Sequence, residues 1–416
     1  MIIRIYDRVG TVNVQRRVMR VVRVYDRNIP SGINESAFTQ KGGWLLGTGS
    51  GAYSEFSPGS TGQYPTPDPS SSTGMKWETP SISIADPTNF LINGGFDFAQ
   101  RTTPGTLTSV SDNAYGADRW KQTRENADLQ YQRNDATSES GLTSRYYGKY
   151  KKITNAGKFM AFQIIEGVHS IPLRGKTIIF QAKLKASTAK TVRMAILQLQ
   201  STGTMDTIPG TFVTAWNVDS TDPTLGTNLA VVTGAESKSV TTSWQNFSVS
   251  VTAPSDCKNL ICAIWTDADF SAGDELNIAE AGLFLGNSTI AWSPRNTSIE
   301  LFLCQRYYWK TFALDTAPAQ NAGTTNSLRF MAGKAGAASQ VAQSYPLHTP
   351  LRTTSPTITT YNPSATNAQV RDTSAAADCS AINALYQNQI LIDCTGNAST
   401  AVGNRLAVHV TLDAEL

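Results

Sequence analysis

A chain of 416 residues has room for two or three domains of ordinary size and can bury real hydrophobic cores. Charged residues make up only 16% and the formal net charge is +3, so no global electrostatic footprint for nucleic acid or a membrane surface exists. No run approaches the ~18 uninterrupted apolar residues of a spanning helix, and Met1-Ile2-Ile3-Arg4 lacks the apolar core of a secretion signal; the expectation is a soluble protein made in a cytoplasm, without membrane insertion.

Residues 1–39 are unlike the rest. Arg4, Arg8, Arg16, Arg17, Arg20, Arg23 and Arg27 stand against Asp7 and Asp26, and Arg4-Ile-Tyr6-Asp-Arg8 is echoed by Arg23-Val-Tyr25-Asp-Arg27. Val, Ile and Tyr favour strands, and Gly10 allows a turn between two of them. A helical reading stays open, since Val14, Val18, Val21, Val22 and Tyr25 follow helical spacing. So short a stretch cannot build a core alone and must pair with something. The expectation is an anchor arm whose arginines, with Tyr6 and Tyr25, meet an acidic partner surface. The alternative is an arm folded onto its own domain. Two Asp and no Lys argue against nucleic acid.

Residues 40–80 are rich in Gly, Ser, Pro and Thr, with turn and extended signals such as Ser57-Pro58-Gly59 and Pro65-Thr-Pro-Asp-Pro69. Trp44, Tyr53, Phe56, Tyr64 and Trp77 recur within them, more aromatics than a disordered linker holds. A monomer would leave these rings exposed, so the expectation is a short neck of strands wrapped around symmetry mates, in a homotrimer.

Residues 81–297 read as one jelly-roll β-sandwich. Phe90-Leu91-Ile92 reads as its first strand, followed by the turn signal Asn93-Gly94-Gly95 and the alternating pair Phe96 and Phe98. Further strands are expected at 159–165, 177–184, 191–199, 210–218, 244–251, 260–265, 275–281 and 281–285. Residues 298–312 hold an aromatic and basic cluster, Cys304-Gln-Arg-Tyr-Tyr-Trp-Lys310, preceded by a helical pattern at Glu300, Leu301, Leu303 and Cys304. Residues 298–416 form a second, small β-domain, its clearer pieces being 346–350, 353–361, 390–394 and the alternating Val408–Leu412. The fold class is all-β.

Three stretches carry a resemblance. Leu91-Ile-Asn-Gly-Gly-Phe-Asp-Phe-Ala-Gln-Arg101 followed by Ala117-Asp-Arg-Trp120 resembles the opening of a β-sandwich found in bacteriophage tail-fibre and related virion appendage proteins; Ala99 stands where that family often has Trp. Ser298-Ile-Glu-Leu-Phe-Leu-Cys-Gln-Arg-Tyr-Tyr-Trp-Lys310 resembles the segment that closes the sandwich, and Gly47–Trp77 a linker module of the same fibres. The resemblance implies a virion protein, trimeric, attached to other tail or portal-proximal proteins through residues 1–39, with sandwiches similar to carbohydrate-binding modules that adhere to host cell-surface polysaccharide. A head or collar fibre, or a decoration protein, is the structural alternative. A depolymerase is the enzymatic one, against which stands the absence of any β-helix-like repeat.

Sugar binding uses aromatic faces beside polar groups. Tyr146, Tyr147 and Tyr150 are the first candidates and Trp216 the next; Trp244 and Trp265 sit in strand-like sequence where core packing is the expectation. Asn93, Asp97 and Glu280 would meet where the first and last sandwich strands adjoin, the place where related sugar-binding folds hold a structural calcium. Asp267, Asp269, Asp274 and Glu275 form the densest acidic patch, read as a solvated turn. His169, His348 and His409 are far apart and suggest no catalytic or metal spacing, so no enzymatic activity and no other cofactor is expected. The five cysteines fit no zinc pattern and read as buried small hydrophobes, with Cys379 and Cys394 able to pair in an oxidising medium.

Overall fold

The computed structural model describes residues 5–7, 10–12, 37–78, 88–126, 128–337, 340–387 and 389–416. Internal contacts divide the chain into two compact units, Met1–Ala85 and Asp86–Leu416.

In the first unit, β1 (Ile5–Asp7) pairs antiparallel with β2 (Gly10–Val12), Tyr6 opposite Thr11, so the strand alternative holds over this stretch. The other anchor candidates, Arg4, Arg8, Arg16, Arg17, Arg20, Arg23, Tyr25 and Arg27, lie outside the described residues. Two hairpins follow: β3 (Trp44–Gly49) with β4 (Ala52–Phe56), and β5 (Tyr64–Pro67) with β6 (Met75–Glu78). Ser50 and Gly51 turn the first with φ of 51° and 78°, the double left-handed geometry that matches strand twist. The hairpins are joined by rings rather than a core. Phe56 stacks on Trp77 at 5.0 Å, Trp44 lies 6.0 Å from Trp77, and the Trp77 indole N–H donates to Ser57 O at 2.6 Å. Among residues 37–78 only Phe56 is buried, while Phe38, Trp44, Tyr53 and Tyr64 are each more than 40% exposed.

The second unit begins with a β-sandwich. Its strands are β7 (Thr108–Ser109), β8 (Ala114–Ala117), β9 (Trp120–Arg124), β10 (Leu129–Asp135), β11 (Tyr146–Lys152) and β12 (Phe159–Ile165). After a turn of helix, α1 (Gly167–Ser170), come β13 (Thr177–Ala186), β14 (Lys190–Leu199), β15 (Val213–Ala215), β16 (Thr224–Leu225), β17 (Leu229–Val231) and β18 (Glu236–Val240). It ends with β19 (Gln245–Thr252), β20 (Asn259–Thr266) and β21 (Glu275–Leu285). The first sheet has the order β19-β13-β21-β11-β10-β7 and the second β17-β14-β20-β12-β9-β8, with β18 also on β14.

The two sheets differ in what their outer faces carry. Along β13, Ile178, Phe180, Ala182, Leu184 and Ala186 enter the core between the sheets while Lys183 and Lys185 point out, the period-two pattern of a sheet with one wet face. β12 and β20 are apolar on both faces. Their outward residues, among them Phe162, Ile261 and Trp265, meet a second layer made by the excursion between β14 and β18, where Phe212 stacks on Phe162 at 3.8 Å. Arg193 pins that excursion through Asp222 at 2.9 Å, and Lys158 does so through Asp219 at 2.8 Å.

Phe90–Ile92 is not a strand. Asn93 and Phe96 take φ of 58° and 57°, which breaks any continuous ladder. One backbone bond remains, from Phe90 N to Leu283 O at 2.9 Å, and side chains supply the rest. Asn89 Oδ1 accepts from Leu283 N at 3.0 Å, and the Gln163 amide both donates to and accepts from the Ile92 backbone at 2.7 Å. Phe96 stacks on Trp120 at 5.1 Å and presses on Gly148, where a Cβ would come within 2.6 Å of the ring.

Helix α2 (Thr297–Gln305) is capped by Asn296, whose side chain accepts from Ser298 N at 3.0 Å. It leads to β22 (Tyr308–Lys310), β23 (Leu328–Met331), β24 (Gln340–Pro346), β25 (Thr357–Tyr361), β26 (Arg371–Asp372), β27 (Ala377–Asp378), β28 (Ser380–Tyr386), β29 (Gln389–Thr395) and β30 (Arg405–Asp413). Strand β30 pairs with β22, β23, β25 and β26, and the sheet β24-β29-β28 shares a second core with it through Ile390, Ile392, Leu406, Val408 and Val410. The stretch expected at 346–350 is instead the end of β24 and a turn. All five cysteines are buried free thiols; Cys379 and Cys394 are hydrogen-bonded neighbours in this second core.

The sandwich and the C-terminal sheets meet through a polar junction. Arg119 lies 3.6 Å over the Tyr307 ring, pairs with Glu415 and donates to Ile164 O at 2.5 Å. Arg101 lies 3.7 Å over Tyr308 and pairs with Asp413 at 3.0 Å. Tyr307 O–H and the Arg306 guanidinium both donate to Glu166, at 2.7 and 2.8 Å. The Lys310 ammonium donates to the carbonyls of Gln100, Leu314 and Thr316 at 2.7, 3.0 and 2.6 Å. Burial pushes Lys310 down to about 8.

Arg119→Met should remove about 3 kcal/mol of stability, because it takes from the buried Glu415 the nearer of its two cations and leaves only Arg101; an unchanged urea midpoint would contradict this. His409 gives a pH test. It is stacked on Phe312 at 4.1 Å, and its ring nitrogens meet Thr311 Oγ1 at 2.9 Å and Gly323 O at 3.0 Å. Burial holds it below the ordinary imidazole value of 6.5, so the unfolded chain takes up the proton first on acidification. Its contribution is complete above pH 6.5 and is lost as pH falls below that value. The stability difference between the wild-type chain and His409→Gln should therefore shrink on acidification through that window, and a constant difference would refute the assignment.

Candidate functional site

The outer face of the first sheet is polar and partly covered, with Tyr147, Gln181, Asn277 and Ala279 buried on it. Its residues are set by alternation on four neighbouring strands: Gln130 and Gln132 on β10, Tyr147, Lys149 and Lys151 on β11, Glu275, Asn277 and Ala279 on β21, and Gln181, Lys183 and Lys185 on β13. Register places Lys149 and Lys185 on either side of Asn277, and Lys151 opposite Glu275.

The charges are paired within the face. Glu275 accepts from Lys151 at 2.9 Å and Lys149 at 3.2 Å, Glu280 from Lys183 at 2.8 Å, and Glu139 from Lys185 at 2.7 Å. Burial would raise all three carboxyls, but the lysines and the other hydrogen bonds outweigh it and hold them below the usual carboxylate range. One side of the face is roofed by the loop between β10 and β11. Glu139 also accepts from the Trp244 indole N–H at 2.9 Å, and Trp244 meets Tyr147 edge-on at 5.3 Å. Trp244 is half-buried and stands at the rim, leaving part of its ring accessible.

Glu280 anchors that loop. It lies where the β13–β21 register shifts, with φ of 50°, a conformation costing about 1–2 kcal/mol in a residue with a Cβ. Its Oε1 accepts from Thr143 Oγ1 and from the backbone of Thr143 and Ser144, while Oε2 holds Lys183.

The tyrosine cluster is split by the strand it forms. Tyr146 and Tyr150 point inward and Tyr147 outward, because β11 alternates. Tyr150 is fully buried against Tyr131 and Phe159, so as a glycan contact it is corrected to a core residue. Tyr146 packs on the core between the guanidinium groups of Arg133 and Arg145, at 4.4 and 5.1 Å from its ring. Tyr147 lies on the outer face but is 8% exposed beneath Trp244. Trp216 is half-buried in the layer covering the second sheet, away from this face. Trp244, read from sequence as a core residue, is the aromatic the face presents.

Two members of the calcium triad, Asn93 and Glu280, are committed to protein partners. The Asn93 amide donates to Phe98 O and Asp118 O at 2.7 and 2.9 Å and accepts from Phe98 N at 3.0 Å. Glu280 is filled by protein donors, as above. Burial, then the charge of Glu300, raises the Asp97 carboxyl. Among the described residues no group of three or more His, Cys, Asp or Glu could hold a metal ion. The acidic patch is also divided: Asp267 accepts from Ser220 N at 2.9 Å and Asp274 pairs with Lys190 at 2.5 Å.

No protein-family model and no curated protein matches the chain. Among solved structures, the carbohydrate-binding module TmCBM61 in complex with β-1,4-galactotriose is similar at 10% identity, over 48% of this chain and 99% of that one, with a TM-score of 0.29. A CBM4 structure is similar at 14% identity over 47% and 98%, with a TM-score of 0.27. The enzymatically active domain of tailspike protein 4 of bacteriophage CBA120 is similar at 11% identity over 48% of this chain, which spans about a fifth (21%) of that one, with a TM-score of 0.31. At these scores the likenesses carry no argument about function.

Glu280→Gln should release the roof loop, because a neutral amide loses the Lys183 ion pair and half its accepting capacity. A loss of about 1–3 kcal/mol and faster proteolytic cleavage within residues 136–145 are expected; cleavage at the wild-type rate would refute the role.

Proposed function

We propose that this chain is a glycan-binding fibre protein of a bacteriophage virion, acting by adhesion. The observation that carries the binding part is the polar outer face of the first sheet, with its partly exposed lysines, rimmed by Trp244. Sugar hydroxyls need closely spaced donors and acceptors, which lysines, glutamines, Asn277 and glutamates supply, and an indole face suits the C–H face of a pyranose. The second sheet offers no such face because its excursion covers it.

In this reading no bond is cleaved. A glycosidase needs a carboxyl held protonated, whereas Glu139, Glu275 and Glu280 are all held low beside lysines. The virion assignment is supported by the sequence motifs at 91–101, 117–120 and 298–310. Attachment to the particle is assigned to residues 1–39. Trimer formation is assigned to the neck, and the exposed Phe38, Trp44, Tyr53 and Tyr64 support it. Three chains multiply weak contacts by avidity, so a shallow face suffices.

The test is binding of the full-length chain, its mass in solution measured by light scattering, to surface polysaccharides of candidate hosts. Saturable binding by a trimer is expected, weakened about tenfold or more in Trp244→Ala with its β-sheet circular dichroism kept. A monomer would overturn the neck assignment. Release of oligosaccharide would overturn the adhesive reading, and absence of binding across hosts the glycan reading.

A further inference from the structure

Within the face, Asn277 is set apart. It is 5% exposed, and its Oδ1 is buried with no hydrogen-bond partner, in the middle of a sheet face otherwise rich in paired groups. Buried amide oxygens are ordinarily satisfied, and this one is not. Its register neighbours on both strands are lysines, Lys149 and Lys185.

The charge balance at this place is uneven. Lys149 and Lys151 share the single carboxylate of Glu275, so one ammonium has no carboxylate of its own. Lys183 and Lys185 each have one, in Glu280 and Glu139. Four lysines thus face three glutamates, and the surplus lies beside Asn277. Trp244 completes the place from the rim, its ring 5.7 Å from the Lys185 ammonium.

We propose that Lys149 and Lys185, the register neighbours of Asn277, form a subsite for a carboxylate-bearing sugar, a hexuronate unit within a polysaccharide. The carboxylate accepts from Lys149 and Lys185, and the pyranose lies toward Trp244. A neutral sugar leaves the surplus cation unmatched. The subsite rests on the glycan-binding reading and narrows it to acidic polysaccharides.

The experiment is titration calorimetry of the full-length chain with homopolymers of galacturonate and of glucuronate and with their carboxyl-reduced forms. At least one polyuronate should bind, with its reduced form about tenfold weaker, and added salt should weaken only the charged polymer. Lys149→Gln and Lys185→Gln should each cut polyuronate affinity about five- to tenfold, and cut neutral-sugar affinity by clearly less, with the β-sheet circular dichroism kept. Equal binding of the acidic and reduced polymers, or full affinity in both lysine variants, would overturn the subsite. If neither polyuronate binds while a neutral host glycan still binds through Trp244, the subsite falls and the glycan reading stands. If no glycan of any kind binds, both fall.

Discussion

The buried pairing of Arg119 with Glu415, stacked on Tyr307, holds the second unit together. An arginine and a glutamate this far from water are tolerable only with each other and with every remaining donor occupied. The surrounding groups do much of that. Ile164 O takes one guanidinium donor, the Tyr307 ring covers the flat face, and Arg101 adds a second cation to the same acidic strand end. Gln100 then bridges Asp118 and the Tyr308 carbonyl, and Lys310 ties Gln100 to the loop after β22. The C-terminal sheets are therefore docked on the sandwich by directional bonds, which fix orientation more tightly than an apolar interface of the same size would.

That orientation leaves the sandwich one-sided. The second sheet is closed by its own excursion, and the first keeps a wet outer face whose side chains are braced by ion pairs. Bracing limits how far the lysines reorganise when a ligand arrives, which lowers the ordering cost of a weak contact. The roof loop adds a wall, and the strained Glu280 holds it in place through its carboxylate.

Much of the fold was legible as alternation. Thr177–Ala186 and Phe159–Ile165 announce their strands and, through one-sided or two-sided apolar patterns, the face each sheet exposes. Phe90–Ile92 misled because its apolar run bends and keeps a single backbone bond to β21; side chains of Asn89 and Gln163 supply the rest, and no local pattern encodes a partner 71 residues away. The site was less legible. Reading Tyr146, Tyr147 and Tyr150 as a cluster overlooked the alternation that sends them to opposite faces. The same alternation in Lys149, Lys151, Lys183, Lys185, Glu275 and Asn277 pointed to the wet face. Trp244 was hidden because its exposure depends on lying at the strand's edge, which sequence does not display. The motifs at 100–101, 118–120 and 305–310 proved to be one place, the junction.

The junction also bears on how the protein comes into being. Arg101 and Asp413 are 312 positions apart, and Arg119 and Glu415 are 296. Such pairings give the chain a high contact order, which slows folding. During synthesis the first strands leave the ribosome long before the last residues exist. Until residues 413–416 emerge, Arg101 and Arg119 have no acidic strand end to meet, so the sandwich cannot close its edge around them. Completion of the second unit is thus tied to the arrival of residues 413–416, and a chain cut short within β30 would leave two arginines, not one loose end, unresolved.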